Sequence, residues 1–188
     1  MKAVYLQAHG DSSVLEYGDL PDPVPGPGEV LVRVRTSALN RLDLYSRRGI
    51  RGTGVGADFP HVLGGDCAGD VASLGEGVTS PLVGARVVVN PFLGMDSVPL
   101  MLGTHRQGSN AELVAVPAEN AVVLPDAISY EQAAALPTVF LPSWAIVNDV
   151  GRLQSGETAL VLSASSGVGT AAVQLVKHVV GATCIAAT

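Results

Sequence analysis

Six residues, Ala164-Ser165-Ser166-Gly167-Val168-Gly169, stand where the apolar run Thr158-Ala-Leu-Val-Leu-Ser163 gives way to a helical pattern, and their spacing suits phosphate chemistry. They align with Gly-x-Gly-x-x-Gly, although only the last of its three glycines is kept. Gly169 would let a helix pack closely on a strand. Ala164 and Ser166 are small enough for backbone to pass near a pyrophosphate, and the helix start offers N–H groups and a positive dipole end. A degenerate turn of this kind is equally at home as pure structure, so its surroundings decide its meaning.

The elements around it supply that context. Ala172, Val173, Val176 and Val180 recur at three- and four-residue spacing, which predicts a helix from about Thr170 to Val179 closed by Gly181. A second apolar strand, Thr183 to Thr188, follows, completing β-α-β. Further strands would be needed on both sides of the first strand, whose edge would otherwise be unpaired. The 188 residues are therefore expected to be a fragment of a longer protein.

Upstream the chain reads as β-rich. Lys2 to Leu6 and Val30 to Arg35 alternate apolar and polar side chains, while Arg86 to Asn90 and Ala111 to Val116 suggest further strands. Pro21, Pro23, Pro25, Gly26, Pro27 and Gly28 mark a loop, and Gly64, Gly65, Gly69, Gly75, Gly77 and Gly84 read as tight turns. Many short strands with such turns suggest a small barrel-like domain. Ser129 can cap a helix containing Glu131 to Leu136, and another helix is expected to start near Pro142 and run to about Val150. The domain boundary is placed at 124/125.

Composition narrows the partners. A hydrophobic share of 47% with 15% charged residues describes a core-rich globular chain, and a net charge of −6 argues against nucleic acid. Arg41, Arg47, Arg48 and Arg51 form a local basic cluster that fits a solvated loop face better than a phosphate site. Two distant cysteines, Cys67 and Cys184, do not suggest a disulfide framework and fit a cytoplasmic location. No signal-like segment follows Met1. The uncharged run from Thr158 to Val176 carries serines, threonines, glycines and Gln174, and reads as buried strand–turn–helix, so no membrane partner is expected.

Several stretches together resemble the medium-chain dehydrogenase/reductase superfamily. They are the proline-glycine segment running into Glu29-Val-Leu-Val32, Ala38-Leu-Asn-Arg-Leu-Asp-Leu-Tyr-Ser-Arg-Arg-Gly49, Phe59-Pro-His-Val-Leu-Gly-Gly-Asp-Cys-Ala-Gly69, Asn110-Ala-Glu-Leu-Val-Ala-Val-Pro117, Ala133-Ala-Ala-Leu-Pro137 and the 164–169 turn. The likeness spans nearly the whole chain in order. It implies an α/β protein: a GroES-like β-rich catalytic domain over 1–124, then an incomplete NAD(P)-binding Rossmann domain over 125–188. It also implies a cleft active site, a small-molecule substrate and a homodimer at full length.

Zinc-dependent members of that superfamily use three ligands whose places are taken here by Asn40, Gly65 and Thr138. Glycine has no side chain to coordinate, and amide or hydroxyl oxygens poorly replace thiolate and imidazole. The segment Pro91 to Gly108, where a structural zinc lobe would fall, has no cysteine. No metal site is expected. What remains resembles the zinc-free quinone oxidoreductases, whose Asn-x-x-Asp-x-Tyr-x-Arg-x-Gly pattern is met by Asn40, Asp43, Tyr45, Arg47 and Gly49.

That resemblance implies hydride transfer from NADPH (or NADH) to a quinone or an α,β-unsaturated carbonyl. Asn40 would contact the nicotinamide or the substrate carbonyl, and Tyr45 would line the pocket and donate a hydrogen bond. Thr138 and Ala164, Ser165, Ser166, Gly167, Val168 and Gly169 would hold the cofactor. Local roles stay open for each: Asn40 suits a turn, Tyr45 suits packing, and Asp43 beside Arg41 and Arg47 or Arg48 suits a structural ion pair. Asp66 suits a local hydrogen bond, and Cys67 reads as a small buried thiol. His9, His61 and His105 lack partners at ligand spacing. Pro142-Ser143-Trp144 departs from the usual Thr-Ala-Trp, whose threonine lies near the nicotinamide in relatives. An alcohol dehydrogenase and a non-catalytic truncated fragment are the competing readings, and the 188-residue piece alone is expected to bind cofactor weakly.

Overall fold

The computed structural model describes residues 1–50, 59–94 and 100–188; Arg51 and part of the Pro91 to Gly108 segment lie outside the described residues. By contacts the chain divides into two units, Met1–Ala135 and Leu136–Thr188. That boundary falls later than 124/125. The reason is the helix α2 (Tyr130–Ala134), whose Ala133 and Ala134 bury their small side chains against Ala68 and Leu124 of the β-rich unit.

In the first unit, β1 (Lys2–Leu6) is antiparallel to β2 (Leu15–Asp19) and to β4 (His61–Val62). A five-stranded antiparallel sheet runs β10-β6-β5-β3-β9, built from β3 (Glu29–Ala38), β5 (Asp66–Leu74), β6 (Arg86–Val89), β9 (Leu113–Pro117) and β10 (Ala121–Val123). A small ribbon pairs β7 (Phe92–Gly94) with β8 (Leu100–Met101). The sheet is built from β-branched residues because alternate valines can all point to one interior. Val30, Val32, Val71, Val87, Val89 and Val116 are 0–1% exposed, each such burial contributing about 1.5–3 kcal/mol.

β5 is a strand that the glycine pattern had suggested was turns. Gly69 lies inside it, where an added Cβ would meet the Arg33 carbonyl oxygen at 2.1 Å. The ladder with β3 shifts register between Val34 and Thr36, opposite this glycine. Gly69 therefore marks a close backbone approach at a strand irregularity. α1 (Arg41–Arg47) follows β3 directly, with Asn40 as its N-cap.

In the second unit, β11 (Thr158–Val161) and β12 (Thr183–Ala186) are parallel and joined by α4 (Gly167–Gln174), which continues as a wider π-helical stretch over Leu175–Val180. This is the expected β-α-β. Val176 and Ala172 pack with Val147, Ala159 and Ala182, as their spacing required. Gly181 ends the helix at φ 74°, in the left-handed region. The helix expected near Pro142 starts earlier: α3 spans Pro137–Trp144 and runs on through Ala145–Val150. Pro137 takes the first helical position, where a missing N–H costs nothing, and Pro142 sits inside, so the helix forgoes one i→i−4 bond. No helix among the described residues is long and apolar enough to cross a membrane.

Candidate functional site

Two groups of residues emerge, one in each unit. The first gathers at the junction of β3, α1 and β5. Asn40 ends the extended segment with φ −122° and ψ 160°, and Asp43, three residues on, accepts a hydrogen bond from the Asn40 backbone N–H at 2.7 Å. The other Asp43 oxygen accepts from the Gly64 N–H at 3.1 Å. Asp43 is thus held by backbone donors, not by the ion pair with Arg41 or Arg47 that its neighbours suggested. Burial raises its pKa above the usual carboxylate range, and the N–H groups of Asn40 and Gly64 offset part of that rise.

The Asn40 side chain is engaged separately. Its Nδ2 donates to Oδ2 of Asp66 at 3.0 Å. Asp66 is 2% exposed, and the ladder explains its position: it opens β5 opposite Ala38, two residues before Asn40. The single Ser109 hydroxyl proton is shared between the Asp66 carbonyl, 3.1 Å from Oγ, and the Gly64 carbonyl, at 3.2 Å, tying down the same backbone. Asn40, Asp43, Gly64 and Asp66 therefore form one connected polar cluster. Tyr45 lies on α1 with 37% exposure and is not part of these contacts.

Beside this cluster, the Cys67 thiol is fully buried, and burial pushes its pKa up to about 12. His9 packs edge-on against Phe59 and pairs Nδ1 with the Ser46 carbonyl; His61 is buried with Nε2 3.3 Å from the Gly103 carbonyl. These are local structural contacts. A cleft of about 940 Å³ on the first unit, bordered by Glu29, His61, His105 and Arg106, contains none of the expected site residues.

The second group is the turn between β11 and α4. Ser166 is the N-cap of α4, its Oγ accepting from the Gly169 N–H at 3.0 Å. That leaves Gly167 and Val168 as the first two N–H donors of the helix. Gly169 packs so tightly that a Cβ would lie 2.2 Å from the Ser163 carbonyl oxygen and 2.8 Å from the Ala164 Cα. Ser163 takes φ 53°, and the Ala164 N–H bonds the Ala187 carbonyl at 2.8 Å, tying the turn to β12. Ser165, Ser166, Gly167 and Val168 are all exposed. Thr138 stands on α3, one residue after the proline that starts it.

In the sequence Ser143 shows only as a departure from the usual Thr-Ala-Trp. It is fully buried, and its Oγ lies 2.7 Å from the Val139 carbonyl and 2.9 Å from that of Val168. It links α3 to the first turn of α4. A lone serine in an apolar helix was the one available signal. Near it, Ile146, Leu160, Leu162 and Val168 border an apolar groove of about 350 Å³.

Comparison with known proteins gives these features their setting. Residues 26–126 match the model of the alcohol dehydrogenase GroES-like domain. The chain belongs to the medium-chain dehydrogenase/reductase superfamily. It is similar to quinone oxidoreductase of Pseudomonas aeruginosa, at 36% identity over 176 residues, covering 94% of this chain and 49% of that protein. It is 36% identical over 157 residues to the synaptic vesicle membrane protein VAT-1 homolog of Homo sapiens, covering 84% of this chain and 36% of the other. A solved NAD-dependent alcohol dehydrogenase superposes with a TM-score of 0.92 at 40% identity, covering 99% of this chain and 57% of that one. The chain thus spans between 36% and 57% of the length of these relatives. Within that superfamily the chain supplies a β-rich GroES-like unit and a parallel β-α-β.

Proposed function

We propose that the complete protein transfers hydride from NADPH, or NADH, to a quinone or an α,β-unsaturated carbonyl, without zinc. The observation that carries this reading is an accessible turn suited to a pyrophosphate, paired with a ligand set unsuited to a metal. At the turn, the Gly167 and Val168 N–H groups would face phosphate oxygens, and Gly169 keeps the helix close enough for them to do so. Ala164, Ser165, Ser166 and Thr138 complete the proposed cofactor contacts.

The zinc positions do not fit the ion. Gly65 offers no donor atom, the neutral amide oxygen of Asn40 is a poor substitute for a thiolate, and so is a threonine hydroxyl. No step is therefore routed through a metal. Bound NAD(P)H would supply the hydride. Asn40 would orient the nicotinamide or the substrate carbonyl, and Tyr45 would line the pocket and donate a hydrogen bond to the developing oxyanion, with solvent as the final proton source. Placement alone can lower such a barrier by roughly 7–11 kcal/mol at the upper end. We also propose that the complete protein is a cytoplasmic homodimer with no nucleic-acid partner.

Titrating the complete gene product with NADPH, then adding 1,4-benzoquinone, tests the reading. Fluorescence quenching followed by quinone-dependent oxidation is expected, with no stoichiometric metal by mass spectrometry. The likeness to an NAD-dependent alcohol dehydrogenase favours a second reading, oxidation of alcohols. One zinc per subunit together with alcohol-dependent NAD reduction would replace the first reading by the second.

A further inference from the structure

The link between Asn40 and Asp66 goes deeper than a local contact. A carboxamide can turn over about its last bond, exchanging Oδ1 and Nδ2, and its surroundings decide which end faces where. An ionised carboxylate only accepts hydrogen bonds, so it selects the nitrogen. Asp66 is buried at 2% exposure, its backbone is held by Ser109, and its Oδ2 receives Asn40 Nδ2 at 3.0 Å. The Asn40 backbone is held independently by Asp43. Both ends of the residue are thereby fixed before anything binds.

We infer that Asp66 is a positioning residue: its buried carboxyl group receives the Asn40 amide nitrogen and, together with the reciprocal cap between Asn40 and Asp43, sets the orientation in which that amide meets its ligand. The ligand class follows from what is left to offer: the second amide N–H, a donor suited to a carbonyl oxygen, whether of the substrate or of a nicotinamide carboxamide. This rests on the reading of Asn40 as a ligand contact given above.

The test uses the complete gene product and the variants Asp66→Asn, Asn40→Ala and the double variant. Asp66→Asn keeps shape but can accept or donate, so the amide loses its preferred sense. In NADPH oxidation by 1,4-benzoquinone, Asp66→Asn is expected to lower kcat by roughly 10- to 100-fold. Adding it to Asn40→Ala is expected to cost nothing more, since a residue that acts only through Asn40 has nothing left to act on. In two-dimensional NMR, one Asn40 side-chain N–H proton of the unsubstituted protein is expected to exchange slowly with solvent, and to lose that protection in Asp66→Asn. Should Asp66→Asn not fold, the unsubstituted spectrum still decides: two rapidly exchanging protons would overturn the inference. So would a normal kcat in Asp66→Asn, or losses that multiply in the double variant. If Asn40→Ala itself turns over normally, the reading of Asn40 fails, and the inference falls with it; if Asn40→Ala is crippled while Asp66→Asn is not, only the inference falls.

Discussion

The carbonyl oxygen of Ser163 lies 2.2 Å from the point where a Cβ on Gly169 would be. No side-chain rotation relieves such an overlap, because both partners are main chain. Gly169→Ala must therefore push α4 away from the turn. It is expected to destabilise the second unit by about 1–3 kcal/mol, measured by denaturant unfolding, and to weaken NADPH binding by the complete protein. A variant with unchanged midpoint and affinity would contradict the close-packing account.

Asp70 offers a second test. Tyr130 Oη donates to its Oδ1, Arg35 Nε pairs with its Oδ2 at 2.7 Å, and the Arg86 guanidinium lies 4.7 Å above the Tyr130 ring. Burial works to raise the Asp70 pKa, but the bonds from Tyr130 and Arg35 outweigh it and hold the carboxyl below the usual range. A depressed folded pKa means stability that is present above the unfolded value of about 3.9 and is lost as pH falls through the folded value. Asp70→Asn is expected to cost about 1–2 kcal/mol at pH 7, with the gap narrowing as pH falls below the unfolded value of about 3.9. Unfolding curves across that range measure this; a gap independent of pH would refute it.

For Asp43 the sign reverses. Its folded pKa is raised, chiefly by burial, so its contribution is complete below about pH 3.9 and is lost as pH climbs through the folded value. Carbon-detected NMR titration should give Asp43 a midpoint above that of a free aspartate and Asp70 one below it. Matching midpoints would show that neither environment acts as described.

Cys67 is expected to be inert. With its pKa pushed up to about 12, only about one thiol in 10⁴ is ionised at pH 8. Iodoacetamide at that pH should label the partly exposed Cys184 while leaving Cys67 unmodified until the protein unfolds. Peptide mapping by mass spectrometry reads the outcome, and early labelling of Cys67 would show that the core opens there.

Much of the fold was legible because its signals are local. Alternation set the bounds of β1 as Lys2–Leu6, and Ser129 with Gln132 forms the reciprocal cap that a serine before Glu131-Gln132 suggests. The β-α-β was likewise readable from apolar spacing and Gly181. Gly69 misled because a glycine in a strand and a glycine in a turn look alike until the partner strand is known. Pro142 misled because a proline that would start a helix can also be carried inside one begun by Pro137. At the candidate site, Asn40 stood out by type and spacing, but its tie to Asp66, 26 residues further on, depends on the pairing of β3 with β5.

The hydroxyl of Ser143 reaches two carbonyls but owns a single proton. At any instant that proton bridges toward Val139, toward Val168, or is split between them. The shape of the turn thus depends on an atom supplied by a different helix: losing the hydroxyl would loosen the loop without touching a residue in it.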